Sequence, residues 1–339
     1  MEDKTMIKQT VLFKNKPRII SSYSIAGPKE GAGLFSHYFD LILKTDSFHE
    51  KSYEKAERKM MEHAIFNAIS RASLNPSDID MLLSGDLLNQ IISSSFSARR
   101  FDTTYVGLFG ACSTMAESLA LGASLINAKY FNYVACATSS HFSTAERQFR
   151  SPLELGSQRP PTSQWTVTGS ACSIISSKGV GPCITMATFG KVTDYDISDV
   201  NNMGAAMAPA AMSTLCAHFN DTNTTPLDYD LIITGDLGKL GSEILIDLMQ
   251  YKGYKLGQNY IDCGQAIFDK TQKTFQGGSG CGCSAIMLNG YFLEQLKRGE
   301  YKKILFMATG ALLSPTSSFQ GDSIPGIAHA LVIENDDLP

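Results

Sequence analysis

The chain has 339 residues, 18% charged and 43% hydrophobic, enough to bury a large core and to hold two domains or two similar halves. A formal net charge of −4, a pI near 5.9 and the lack of a clustered basic stripe argue against a nucleic-acid surface. No apolar run is long enough to span a bilayer and Met1-Glu2-Asp3-Lys4 does not read as a secretory signal, so membrane association is expected to be peripheral or through a partner.

Residues 7–26 read as one or two strands, with Pro17-Arg18-Ile19-Ile20 leading into a Ser/Gly turn, and 27–52 as loop-rich. Over Tyr53 to Ala72, Ala56, Met60, Ala64, Ile65, Ala68 and Ile69 recur on one face of a helical period, which predicts an amphipathic helix ended by Asn75-Pro76-Ser77-Asp78. A short apolar strand, Ile79 to Ser84, closes in Gly85-Asp86. In Phe109-Gly110-Ala111-Cys112-Ser113-Thr114 a small-residue turn then presents a cysteine, and the amphipathic run Met115 to Ile126 starts behind it. Cys112 is thereby placed at a helix N-terminus, where unpaired amides and the macrodipole favour negative charge. Such a place either activates a thiol as a nucleophile or holds an anionic ligand.

A strand follows at Tyr133 to Thr138, and the polar stretch 139–165, with Pro152 and Pro160-Pro161, reads as an inserted cap. Ser170 to Ser176 and Cys183 to Phe189 read as a strand pair joined by Lys178-Gly179-Val180-Gly181. Ala205 to His218 reads as an amphipathic helix with His218 at its C-terminus.

After about Tyr195 the plan repeats. Asp78-Ile79-Asp80-Met81-Leu82-Leu83-Ser84-Gly85-Asp86-Leu87 matches Asp228-Tyr229-Asp230-Leu231-Ile232-Ile233-Thr234-Gly235-Asp236-Leu237, and Cys112-Ser113, Tyr130 and Ala137-Thr138 match Cys283-Ser284, Tyr301 and Ala308-Thr309. Two α/β halves, 1–195 and 196–339, with a mainly parallel sheet are expected, stacked about a pseudo-twofold. The eight cysteines lack C-x-x-C pairing and histidines at ligand spacing, so buried, reduced thiols and no metal site are expected.

The duplicated halves, the Gly-Ala-Cys-Ser-Thr turn and Gly277-Gly278-Ser279-Gly280 resemble the thiolase and ketoacyl synthase fold, an αβαβα layering. Residues 137–150, from Ala137-Thr138-Ser139-Ser140-His141 to Arg150, together with 158–169 and 320–330, are more specifically similar to the stage V sporulation protein AD family. The resemblance implies a non-enzymatic protein that binds dipicolinic acid, a pyridine dicarboxylate, and takes part in moving it into the developing spore with other proteins of its operon. It also implies association with the inner spore membrane through membrane components, and a homodimer. Calcium accompanying the diacid would fit, since water, a metal or protonation is needed to relieve the repulsion between Asp236 and a bound anion. The strand after the cap is the expected dimer contact.

Condensing enzymes of this fold pair the nucleophilic cysteine with a histidine and a second His or Asn from second-half loops. Here the strand Leu231 to Thr234 ends in Gly235-Asp236, and the glycine-rich loop reads Gly278-Ser279-Gly280-Cys281-Gly282-Cys283. A carboxylate beside Cys112 raises the thiol's pKa, the wrong direction for a nucleophile. The expected ligand-binding residues are Cys112, Ser113 and Thr114 through helix amides, Ser139, Ser140 and His141 past the strand end, Arg150 as a carboxylate clamp, and Asp236. Two other readings stay open: an acyl-CoA-dependent acyltransferase with Cys112 as nucleophile, and a scaffold for membrane channel partners. No cofactor is expected.

Overall fold

The computed structural model describes residues 9–149 and 158–335. The first part runs β1 (Thr10–Leu12), β2 (Arg18–Ala26), β3 (Leu41–Ile42), α1 (Tyr53–Arg71), β4 (Met81–Asp86), α2 (Ile92–Ala98), β5 (Thr104–Gly107), α3 (Thr114–Asn127), β6 (Tyr133–Ser140), α4 (Phe142–Phe149), β7 (Trp165–Thr166), β8 (Gly169–Ser176) and β9 (Cys183–Thr188). It continues with α5 (Met203–Thr222), β10 (Leu231–Thr234), α6 (Gly238–Tyr251), β11 (Tyr260–Asp262), α7 (Cys263–Ile267), β12 (Gly278–Ser279), α8 (Cys281–Ile286), α9 (Leu293–Arg298), β13 (Lys303–Ala311), α10 (Pro315–Phe319) and β14 (Gly326–Glu334).

α1 starts where Ser52, in extended conformation, accepts the Lys55 amide on its side chain. It buries the six apolar residues that the period selects, and also Glu57 and Met61. The period misses a buried glutamate, because a carboxyl satisfied by neighbouring hydroxyls can sit on an apolar face.

The strands form two arrays of matching order, β5-β4-β6-β8-β2 and β11-β10-β13-β14-β9, which meet at the single pair Arg18↔Cys183. In each array the first three strands are parallel and the last two join antiparallel, so the sheet is mixed and not mainly parallel. β8 and β9 do not pair with each other, since β2 lies between them. The Gly-rich connection carries the chain from one array to the other; Gly181, at φ +145°, lies so close to the Ile19 carbonyl that a Cβ would approach it to 2.2 Å.

Alternate strand residues face different layers. In the first array Leu82, Ala135 and Ile174 pack with α1, while Leu83, Cys136 and Ile175 pack with α3. In the second, Ile233, Phe306 and Leu331 face the central layer, and Ile232, Met307 and Ala330 face α5 and α6. The result is an αβαβα sandwich with α3 and α8 at its centre.

The sequence repeat has a structural counterpart. Asp78 and Asp228 each close a capping box with Asn75 and Thr225, and Asp80 and Asp230 each accept two amides at the start of a neighbouring strand. β8 is paired along both edges, so the strand after the cap has no edge to offer a second copy; the outer strand of the first array is β5.

Candidate functional site

Cys112 lies in a single tight turn, Ala111–Ser113, that leads into α3. Ala111 has φ +48°, and the Ser113 amide and hydroxyl both donate to the Gly110 carbonyl, at 3.0 and 2.6 Å. The Thr114 amide and hydroxyl donate to the Ala111 carbonyl. The amides of Ser113 and Thr114, expected as an anion cradle, are therefore used inside the turn.

Asp236, beyond the end of β10, is 1% exposed. Its carboxylate accepts the Thr309 hydroxyl at 2.8 Å, the Ser279 hydroxyl at 3.0 Å and the Gly280 amide at 2.9 Å. The Cys112 thiol lies near enough to feel that charge. Burial first, then the charge of Asp236, pushes the thiol well above its ordinary pKa; burial also raises that of Asp236. The repeat-related Asp86 ends β4 in the same way but accepts the amides of Leu88 and Ser94. Near Asp86, Glu57 accepts the hydroxyls of Ser139 and Thr144, at 3.1 and 2.8 Å, and burial raises the pKa of both carboxyls.

The cavity beside Cys112 has a volume of about 100 Å³, room for several water molecules. Its wall is apolar at Leu87, Phe149, Met207 and Leu313 and polar at Arg159, Glu146, Gln164 and Ser279. The structure brings Cys112 and Asp236 together and puts the cysteine in the wall. Ser113, Thr114, Ser139, Ser140 and His141 are buried and are not among the lining residues. Ser139 and Ser140 are the last residues of β6 and not part of a cap, and the Ser140 hydroxyl donates to Val167 O at 2.6 Å. His141 is not a lining residue: Nε2 donates to Asp46 O at 2.9 Å and Nδ1 accepts the Ser143 amide, which fixes the tautomer. Arg150 lies outside the described residues.

All six histidines fall among the described residues. His37, His49 and His63 are exposed, His329 accepts the Gly190 amide, and His218 sits inside α5 between Thr188 and Tyr229 instead of at the helix end. The groups that shift the Cys112 thiol are Asp236, Cys281 and the Gly280 amide, with no imidazole among them. Among the described residues no cluster of three His, Cys, Asp or Glu is placed to hold a metal ion.

Residue-by-residue reading missed Arg159, Glu146 and Gln164. The Arg159 guanidinium donates from Nη1 to Glu146 at 2.6 Å and from Nη2 to the Gln164 carbonyl. The Gln164 side chain reaches across to donate to the main-chain oxygens of Asp236 and Gly278, at 2.7 and 2.8 Å. All three lie in or beside segments that carried the resemblance, and no local pattern distinguishes Arg159 from Arg147 or Arg150.

Two strand arrays enclosing a helix that presents a cysteine at its first turn define a thiolase-like protein. Similar solved structures include acetamide-bound Xanthomonas campestris OleA (TM-score 0.63, 12% identity, 96% of this chain and 100% of that one) and human mitochondrial 3-ketoacyl-CoA thiolase in complex with CoA (0.59, 11%, 96% and 99%). A third is 3-oxoacyl-[acyl-carrier-protein] synthase III from Aquifex aeolicus VF5 (0.55, 12%, 94% and 99%). At these identities the likeness is one of fold. Within that class, the family model of stage V sporulation protein AD (SpoVAD) matches residues 7–334. The chain is 44% identical over 327 residues to stage V sporulation protein AD of Bacillus subtilis (strain 168), covering 96% of this chain and 97% of that protein. It belongs to the stage V sporulation protein AD family.

Proposed function

We propose that this sporulation protein binds dipicolinic acid in the cavity beside Cys112 and takes part in its uptake into the developing spore, as a binding protein and not a condensing enzyme. The observation that carries the reading is the closeness of Asp236 to Cys112. A condensing enzyme needs a base or an imidazolium at the sulfur, and this thiol has near it a buried carboxyl whose charge raises its pKa. Binding makes no such demand. A small planar diacid needs an apolar slot and a donor for its carboxylate, and the cavity offers Leu87, Phe149 and Leu313 for the first and Arg159 for the second.

No helix among the described residues is long and apolar enough to cross a membrane. Attachment to the inner spore membrane is accordingly assigned to membrane components of the same operon, and a homodimer to pairing along β5. Calorimetric titration of the purified protein with dipicolinate, with and without calcium, tests the reading. Saturable binding that is weakened in Cys112→Leu supports it. Absence of binding, or stoichiometric acylation of Cys112 by an acyl-CoA seen by mass spectrometry, overturns it.

A further inference from the structure

Arg159 is the one cationic side chain in the cavity wall among the described residues. Its side chain is 12% exposed, and its pairing with Glu146, itself 13% exposed, bridges α4 to the 158–166 segment across the cavity. The guanidinium carbon sits 5.5 and 5.2 Å from the ring centres of Phe142 and Trp165, which stack on each other at 3.7 Å and 6°. Lys29 lies 4.1 Å from the Trp165 ring centre. The aromatic pair thus seats the guanidinium from the side. Its fork is held by one carboxylate and one main-chain carbonyl.

We propose that Arg159 is the carboxylate receptor of this cavity and that Glu146 is its built-in competitor. A ligand carboxylate takes the Nη1 edge that Glu146 holds, exchanging one charge-assisted contact at that nitrogen for another while Nη2 keeps the Gln164 carbonyl. This rests on the reading that the cavity takes a dicarboxylate, and it assigns one of the two carboxylates to Arg159. Glu146 then sets a threshold: only an acid whose second group and ring gain further contacts displaces it, so a diacid is favoured over a monoacid of the same ring.

The competing account makes the Arg159–Glu146 pair a brace for α4. The two accounts differ in sign. If Glu146 competes, Glu146→Gln tightens binding while Arg159→Gln weakens it. If the pair is a brace, both variants loosen the wall and both weaken binding or leave it unchanged.

The test is titration of the wild type, Glu146→Gln, Arg159→Gln and Arg159→Lys with dipicolinate and with pyridine-2-carboxylate. It is followed by calorimetry and by the fluorescence of Trp165, the only tryptophan in the chain. Expected are a loss of about tenfold or more for Arg159→Gln, an intermediate loss for Arg159→Lys, and a several-fold gain for Glu146→Gln. The wild-type preference for the diacid should shrink in Arg159→Gln. A wild type that binds while Arg159→Gln binds equally well, or Glu146→Gln that weakens binding, overturns the inference and leaves the proposed function standing. A wild type that binds neither acid overturns both. Should Arg159→Gln fold poorly, the opposed shifts of Glu146→Gln and Arg159→Lys decide the matter.

Discussion

Asp236 is a buried carboxyl set close enough to Cys112 for its charge to raise the thiol's pKa. Three donors, Thr309, Ser279 and the Gly280 amide, hold that carboxyl in position, so it is a fixed part of the site. Replacing it with a neutral amide removes a negative charge near the sulfur. Asp236→Asn is therefore expected to lower the Cys112 pKa. Alkylation rates at Cys112 against pH, localised by mass spectrometry, check this. An unchanged profile would mean that burial alone suppresses the thiolate.

The Cys112 turn is also positioned by a close approach between the two halves. A Cβ on Gly310, at the end of β13, would come within 2.3 Å of the Gly110 carbonyl and 3.1 Å of the Ser113 amide. Backbone on both sides leaves little room to yield. Gly310→Ala should cost about 1–3 kcal/mol of stability and weaken ligand binding, although residue 310 does not line the cavity. Chemical denaturation and dipicolinate titration of the same variant measure the two effects separately.

Glu30 is fully buried, accepts the Thr168 amide at 3.0 Å, and is held up by burial at about 8. A folded-state value above the ordinary 4.5 means that the folded protein binds more protons between the two values. The stabilisation is complete below the lower value and is lost as pH rises through the upper one. The thermal midpoint should therefore fall between about pH 4.5 and about pH 8, and Glu30→Gln should flatten that fall. Thermal scans across that range on both proteins decide it, and an identical slope would count against the assignment.

Asp80 accepts the amides of Asn132 and Tyr133 at 2.6 and 2.9 Å, and Asp230 those of Lys302 and Lys303 at 2.8 Å each. Each aspartate fastens the start of the central parallel strand of its own array. Asp80→Ala and Asp230→Ala should destabilise by similar amounts, about 1–3 kcal/mol each, because charge-assisted bonds to two amides are lost in both. Urea titration of the two variants tests that equivalence.

β5 pairs on one side only, with β4, and Val106 on it is 39% exposed. If a second copy joins along this strand, Val106→Glu places like charges across the twofold and should shift the protein toward monomer. Sedimentation velocity at matched concentrations gives the answer. A variant as associated as the wild type would remove β5 from the contact.

The fold was legible because its signals are local and repeated. Helix α1 was marked by its apolar period, the strands β4 and β10 by short apolar runs closed with Gly-Asp, and the duplication by matched aspartates whose side chains make matching bonds. Strand order was less legible. The β8–β9 connection looks like a hairpin in sequence, yet Gly181 lets the chain pass over Ile19 into the other array. At the site, Cys112 and Asp236 were readable together since each belongs to a repeated motif. Ser139, Ser140 and His141 lay close in sequence to a plausible strand end, but β6 continues through the serines and takes their side chains into the core. Arg159 was not singled out because its partners, Glu146 and the Gln164 carbonyl, come together only when α4 packs beside β7.

The central helices are exchanged between the halves: α3, from the first, packs against β13 and β14 as well as its own strands, and α8, from the second, lies on β6 and β8. A fragment ending near the junction would leave α3 bare on one side and lose the cover that α8 gives its strands. The two copies of the motif are therefore no longer separable modules. Melting should be a single concerted event, and neither piece, expressed alone, should stay in solution.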